Sequence, residues 1–153
     1  MKLVEYNSSH ESMIENYYVE DDTYTGLPEE AVKIATLQDK YNPVLCIESD
    51  VLVTFFVLDG GDDKYTYTDQ KDSLLLRSFS TDSRHLRKGY ARKSLELLKA
   101  FVQENYSGIH EVILGVNLKN TPAVNLYQDC GFHDTRRTFD GAKGTQKILR
   151  MKI

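Results

Sequence analysis

The chain has 153 residues, 41% of them hydrophobic and 27% charged, with a formal net charge of −4. That length buries a sizeable core as one domain spanning residues 1–153, and the acidic balance argues against nucleic acid as the main partner, because phosphate binding needs a basic surface. No apolar run approaches the roughly 20 residues that cross a bilayer; with no signal-peptide stretch at the start and only Cys46 and Cys130 present, the expectation is a cytoplasmic chain without membrane association or a disulfide framework.

The charge is uneven. Residues 1–30 carry eight acidic side chains (Glu5, Glu11, Glu15, Glu20, Asp21, Asp22, Glu29 and Glu30) against Lys2 alone, which leaves the rest of the chain net positive. Such a division suits a cationic substrate at one end and an anionic cofactor at the other.

In chain order, residues 2–6 read as a short strand. Ser9 is expected to cap a helix running to about Val19, with Met13, Ile14 and Tyr17 at helical spacing. Residues 20–27 are loop-like, and Pro28 fits the first turn of a second helix bearing Ala31, Ile34, Ala35 and Gln38, ended by Pro43. Two runs rich in β-branched and aromatic residues, 44–47 and 51–58, flank Glu48-Ser49-Asp50 and predict a hairpin. The polar stretch 59–72, with Gly60-Gly61, reads as an exposed loop. A strand over 73–80 leads through a basic turn into a helix from about Tyr90 to Tyr106, with Ala91, Leu95, Leu98 and Val102 along one face. A strand over 111–116, a helix opened by Thr121-Pro122 and running to about Asp129, and a hairpin of 132–138 with 145–152 around Asp140-Gly141 complete the order.

The basic turn is the first candidate site. A helix N-terminus presents unpaired backbone N–H groups and partial positive charge, so it attracts anions. Gly89 removes the side chain where a phosphate approaches the backbone, Ala91 keeps the next approach narrow, and Arg84, Arg87, Lys88 and Arg92 add charge. Alone, this pattern is common.

The second element is Asn120, Ala123, Tyr127 and Gly131-Phe132, spaced N-x-x-A-x-x-x-Y-x-x-x-G-F and following a strand. Together with Leu86-Arg87-Lys88-Gly89-Tyr90-Ala91, matched to [Q/R]-x-x-G-x-[G/A], it resembles the GCN5-related N-acetyltransferase (GNAT) superfamily, most clearly over residues 74–132. The resemblance implies an α/β fold whose mixed, mostly antiparallel central sheet has about six to seven strands and about four flanking helices. Two splayed strands in it bind the cofactor, acetyl-CoA, as acyl donor.

By this resemblance the backbone of Phe79, Ser80 and Thr81 meets the pantetheine arm, and the N–H groups from Arg87 through Lys88, Gly89, Tyr90 and Ala91 to Arg92 surround the pyrophosphate. Asn120 binds near the pantetheine with Ala123 beside it, and the Tyr127 hydroxyl lies near the thioester sulfur. Tyr127 is thus the candidate general acid.

Two departures stand out. Leu86 occupies a position where the family usually has Gln or Arg, so the turn must bind mainly through its main chain. Arg77 stands where related polyamine acetyltransferases often carry a carboxylate, and an arginine cannot serve as a base at working pH. Glu20, Asp21, Asp22, Asp72 and Asp82 are the remaining candidate bases, none singled out.

The expected reaction is transfer of an acetyl group from acetyl-CoA to a primary amine, polyamine-like or amino-sugar-like, by direct attack in a ternary complex. Tyr24 and Arg77 are the expected substrate-binding residues, and Arg77 favours an acceptor with a carboxylate. The alternatives are acetylation of a protein lysine or N-terminus, and a non-catalytic acyl-CoA-binding regulatory module. No metal is expected, because no Cys/His ligand spacing is present. A homodimer is a family-level expectation.

Overall fold

A computed structural model describes residues 1–153. The elements run β1 (Lys2–Glu5), α1 (Glu11–Asn16), α2 (Pro28–Ala35), β2 (Tyr41–Glu48), β3 (Val51–Asp59), β4 (Ser73–Thr81), α3 (Tyr90–Asn105), β5 (Glu111–Asn117), α4 (Thr121–Asp129), β6 (His133–Gly141) and β7 (Gly144–Lys152). The seven strands form one sheet in the order β1-β2-β3-β4-β5-β7-β6, antiparallel except where β4 meets β5. This is the mixed, mostly antiparallel α/β architecture the sequence implies.

The period-2 pattern of the strands divides the core. On one face Leu74 and Leu76 of β4 and Val112, Leu114 and Val116 of β5 pack against Leu95, Leu98 and Val102 of α3 and Val124 and Tyr127 of α4. On the other, Leu45, Phe55 and Val57 lie beneath Ile14 of α1 and Ala31 of α2. Alternation thus gives every central strand two buried faces, which is why β2 and β3 read as continuous apolar runs.

Three expectations are corrected. Helix α1 ends at Asn16, and Tyr17 is already extended. Asn7 caps a 3₁₀ turn, Ser8–His10, accepting from Ser9 N at 2.9 Å while His10 Nδ1 accepts from Asn7 N; α1 follows directly with His10 at its N-cap, so Ser9 is not the cap. The chain leaves the helix because the turn after β4 offers better partners: Tyr18 N donates to Asp82 Oδ2 (3.1 Å), Ser83 N to Tyr18 O (2.7 Å) and Glu20 N to Ser83 Oγ (2.8 Å).

Pro43 lies inside β2, and α2 has ended before it at Ala35. The Pro43 carbonyl accepts from Tyr6 N at 3.0 Å, just past the β1 ladder, which ends at Glu5↔Val44. Its nitrogen faces the same side, at the very end of that ladder, so no bond between the paired residues 2–5 and 44–47 is lost.

The stretch 59–72 contains a 3₁₀ turn, Asp62–Thr66, and is anchored rather than simply exposed. Lys64 is buried and donates through Nζ to the carbonyls of Lys71 (2.6 Å) and Ser73 (3.1 Å). Buried Thr68 donates to Glu111 Oε2 at 2.9 Å. A polar sequence here marks satisfied internal hydrogen bonds as much as contact with water.

Candidate active site

Strands β4 and β5 pair only at Ser73↔Glu111, Leu74↔Val112 and Leu75↔Ile113. Beyond Leu75 they part, and residues 76–81 of β4 and 114–117 of β5 line a cleft of about 470 Å³. The cause is local. In β4 two residues, Ser78 and Phe79, oppose Phe56 alone of β3, and Ser78 takes a left-handed φ of 56°. The bulge bends β4 away from its parallel neighbour while its ladder with β3 resumes at Phe55↔Ser80 and Thr54↔Thr81. The backbone edge of β4 facing β5 is therefore open to an extended ligand arm.

The lining reaches Ser83 and Leu86, which lead into the N-terminus of α3. Gly89 is the cap residue, with φ 78°, and it supplies no side-chain hydrogen bond to the first turn. A Cβ placed on Gly89 meets nothing within 4 Å, so the glycine is required by its left-handed backbone and leaves open space over the free N–H groups. Arg87 is also left-handed, at φ 63°. Arg87 and Lys88 are exposed and outside every ion pair, whereas Arg84 binds Asp82 and Arg92 reaches Asp129 at 3.3 Å. The turn thus keeps two cations and a helix start available to an anion, which fits a pyrophosphate. Leu86, exposed, lines the cleft.

Helix α4 forms the floor. Asn120, Ala123, Leu126 and Tyr127 all line the cleft, and the Asn120 side chain is not used as a helix cap. Tyr127 is only 9% exposed, edge-on to Phe79 (5.9 Å between centroids) and Phe132 (5.5 Å). Burial raises its hydroxyl well above the usual tyrosine value, so it stays protonated at neutral pH, and no other group of the chain perturbs it. A protonated donor held rigidly by two rings and aimed at the gap can hydrogen-bond a sulfur on which negative charge develops.

The loop between α1 and α2 contributes Glu20, Asp21 and Tyr24 to the lining, and the β6–β7 hairpin contributes Lys143 and Gln146. Lys143 Nζ donates to the Thr23 carbonyl at 2.8 Å, tying hairpin to loop. The Asp21 carboxylate is held below its usual range by hydrogen bonds from the Thr23 hydroxyl and backbone N–H. Among the other candidate bases, Asp22 and Asp72 do not line the cleft.

Asp82 has a structural post. It is 1% exposed and accepts from Arg84 N (2.9 Å), Arg84 Nε (3.0 Å) and Tyr18 N (3.1 Å). Burial alone would raise its pKa, but these hydrogen bonds outweigh that and hold the carboxyl below its usual range. Since the folded pKa is depressed, its contribution to stability is present above the unfolded value of about 4 and is lost as pH falls through the folded one. Replacing Asp82 by Ala leaves these part-buried N–H donors unmatched and is expected to cost about 2 kcal/mol in urea unfolding at pH 7, a difference that shrinks as pH falls through the folded pKa of Asp82.

Arg77 also lines the cleft, yet its guanidinium is already engaged. Nη1 donates to Asp63 Oδ2 at 2.8 Å and to Asp59 Oδ2 at 3.0 Å, and the group lies over the Tyr41 ring.

Three contributors escaped the sequence reading. Asn117 is buried, donates through Nδ2 to Lys143 O (2.8 Å) and accepts from Lys119 N (2.9 Å), fixing the β5–α4 turn to the hairpin. Tyr67 and Gln146 meet over Gly115. The glycine inside an otherwise apolar strand was an available signal of close approach, but nothing in the sequence named its partners.

The family of the Acetyltransferase (GNAT) model covers residues 7–132. The chain belongs to the GNAT acetyltransferase family. It is a GNAT N-acetyltransferase with acetyl-CoA as its acyl donor. It is 39% identical over 132 residues to YbbJ of Bacillus subtilis (strain 168), named an uncharacterized N-acetyltransferase, covering 85% of this chain and 82% of the relative. The GNAT fold is shared with the aminoglycoside acetyltransferase AAC(6')-Ib in complex with paromomycin and acetyl-CoA: TM-score 0.80, 12% identity, 99% of this chain and 92% of that one. A spermidine N-acetyltransferase SpeG chimera from Vibrio cholerae and hSSAT gives 0.70 at 17% identity, over 99% and 94%.

A second cleft, about 720 Å³ and larger by volume, lies between α3 and the start of β6, lined by Glu96, Lys99, Asp129 and Arg150. It has neither splayed strands nor a free helix start. No helix is long and apolar enough to cross a membrane.

Proposed function

We propose that residues 1–153 act as one catalytic unit that acetylates a small primary amine by direct attack in a ternary complex. The observation that carries this reading is the continuity of the cleft. One continuous lining joins Leu86, three residues before the free helix start at Gly89, to Tyr127 and to Glu20, Asp21 and Tyr24.

The division of labour follows from charge. An alkylamine with a pKa near lysine's is only about one part in a thousand neutral at pH 7, so deprotonation costs roughly 4 kcal/mol. Glu20 and Asp21 draw the ammonium into the cleft, where its proton leaves to water, since Asp21, with its lowered pKa, is a poor proton acceptor. The amine nitrogen then bonds to the thioester carbonyl carbon as the carbon–sulfur bond breaks. Tyr127 donates its proton to the departing sulfur and regains one from the nitrogen. Tyr24 covers the acceptor. Arg77 acts there while holding Asp59 and Asp63, rather than as a free partner for a substrate carboxylate.

The test is a panel of linear polyamines, amino sugars and arylalkylamines mixed with acetyl-CoA, with released free thiol as the readout. At least one amine is expected to raise thiol release above the amine-free rate and to appear as its N-acetyl product by mass spectrometry. If none does while acetyl-CoA still binds, the transferase reading for small amines falls and a binding module takes its place.

A further inference from the structure

On the opposite side of the splayed strands from Tyr127 lies a pocket of about 400 Å³ whose walls come from five separate parts of the chain. Tyr67, from the anchored stretch before β4, lies across β5 at Gly115. A Cβ on that glycine would stand 2.5 Å from the Tyr67 ring and 2.8 Å from Gln146 Oε1, so only glycine admits the ring here. The Tyr67 hydroxyl donates to Gln146 Oε1 at 2.8 Å, and Phe139 of the edge strand β6 meets the ring edge-on at 5.7 Å. Tyr24 closes the remaining side. Phe139 is 38% and Tyr24 46% exposed, so both keep aromatic surface turned to the opening.

The two charged side chains that line this pocket offset each other. Asp63 and Arg77 line it as an ion pair, and Asp59 behind them shares the same guanidinium. Each carboxylate contacts that one guanidinium, and the excess negative charge is that of Asp59, which is 2% exposed and does not line the pocket, so no unpaired carboxylate faces the opening. The unpaired carboxylates stand apart at Glu20 and Asp21. What the pocket offers is aromatic surface on three sides and the Gln146 amide nitrogen, which has no partner within the chain. Such walls take an uncharged ring and orient it by a single polar contact.

We infer that the acceptor carries its reacting amine on an uncharged ring, the ring seated among Tyr24, Tyr67 and Phe139 and the amine directed through the gap between β4 and β5. This rests on the small-amine reading above and narrows it. The same chemistry is offered by amino sugars, whose C–H faces stack on aromatic rings, and by arylalkylamines, whose own ring does so.

The experiment compares glucosamine, tyramine and spermidine as acceptors for the wild-type chain and for Phe139→Ala, with acetyl-CoA affinity measured by calorimetry in parallel. Phe139 is on an exposed edge strand, so its loss leaves the core intact. One of the two ring amines is expected to exceed spermidine in kcat/KM, and which one does identifies the source. Phe139→Ala is expected to raise KM for that ring amine about 3- to 10-fold, the effect of losing one aromatic contact, with acetyl-CoA affinity unchanged. A preference for spermidine, or an equal KM for the ring amine in wild type and Phe139→Ala, overturns the ring pocket while leaving the transferase standing. Failure of all three amines, with acetyl-CoA still bound, counts against the small-amine reading itself and removes the ring pocket with it.

Discussion

Replacing Tyr127 by Phe is expected to lower kcat about 10²- to 10³-fold while leaving the affinity for acetyl-CoA nearly unchanged, the range associated with a positioned general acid. The substitution removes one oxygen and keeps the ring. The ring packs edge-on to Phe79 and Phe132, so the core between α4 and the sheet is preserved. The hydroxyl makes no hydrogen bond inside the protein, and its raised pKa has burial as its only cause. A hydroxyl retained in an apolar setting without an internal partner has its use in the ligand complex. Steady-state kinetics with the best amine, alongside calorimetry with acetyl-CoA, separate the two effects. An unchanged kcat means that another group protonates the sulfur.

The second large effect concerns the donor turn. Gly89→Asp is expected to weaken acetyl-CoA binding at least about 100-fold, as loss of two charge-assisted hydrogen bonds would, while the protein still folds. Aspartate is among the few residues that adopt the left-handed conformation with little strain, and the space around Gly89 holds no protein atom within 4 Å. Folding is therefore spared. The new carboxylate, however, stands over the free N–H groups of α3 and opposes the pyrophosphate. Titration of the variant with acetyl-CoA, with far-ultraviolet circular dichroism to confirm the fold, makes the measurement. Since Arg87 and Lys88 contribute charge beside the turn, wild-type affinity should also fall as salt rises.

Much of this site was legible from residues alone, and physics explains which part. The turn at Gly89 and the helix from Thr121 to Asp129 are local structures, where one glycine and one Thr-Pro start decide the backbone. The strands were legible because burial on both faces leaves long β-branched runs. What failed was decided by partners far away in the chain. The C-terminal end of α1 depends on Asp82 and Ser83, more than sixty residues on. Pro43 sits in a strand because β1 has ended beside it. The stretch 59–72 looked exposed because Lys64 and Thr68 are polar, yet carbonyls of Lys71 and Ser73 and the Glu111 carboxylate meet them inside. Arg77 read as a cation awaiting a substrate carboxylate until Asp59 and Asp63 appeared across from it.

The bulge at Ser78 was the least visible feature and the most consequential. Nothing in Arg77-Ser78-Phe79 announces a left-handed serine, because the extra residue is counted only against β3. Without it β4 would continue alongside β5, and the gap would close.

Hydrogen–deuterium exchange with and without coenzyme A tests most directly whether that gap is the donor site. The expected result is slowed exchange over residues 76–81 and 87–92, where the open edge of β4 and the start of α3 gain partners, with little change elsewhere. Protection confined instead to the cleft around Glu96, Lys99 and Arg150, with residues 76–81 and 87–92 exchanging as before, would contradict it.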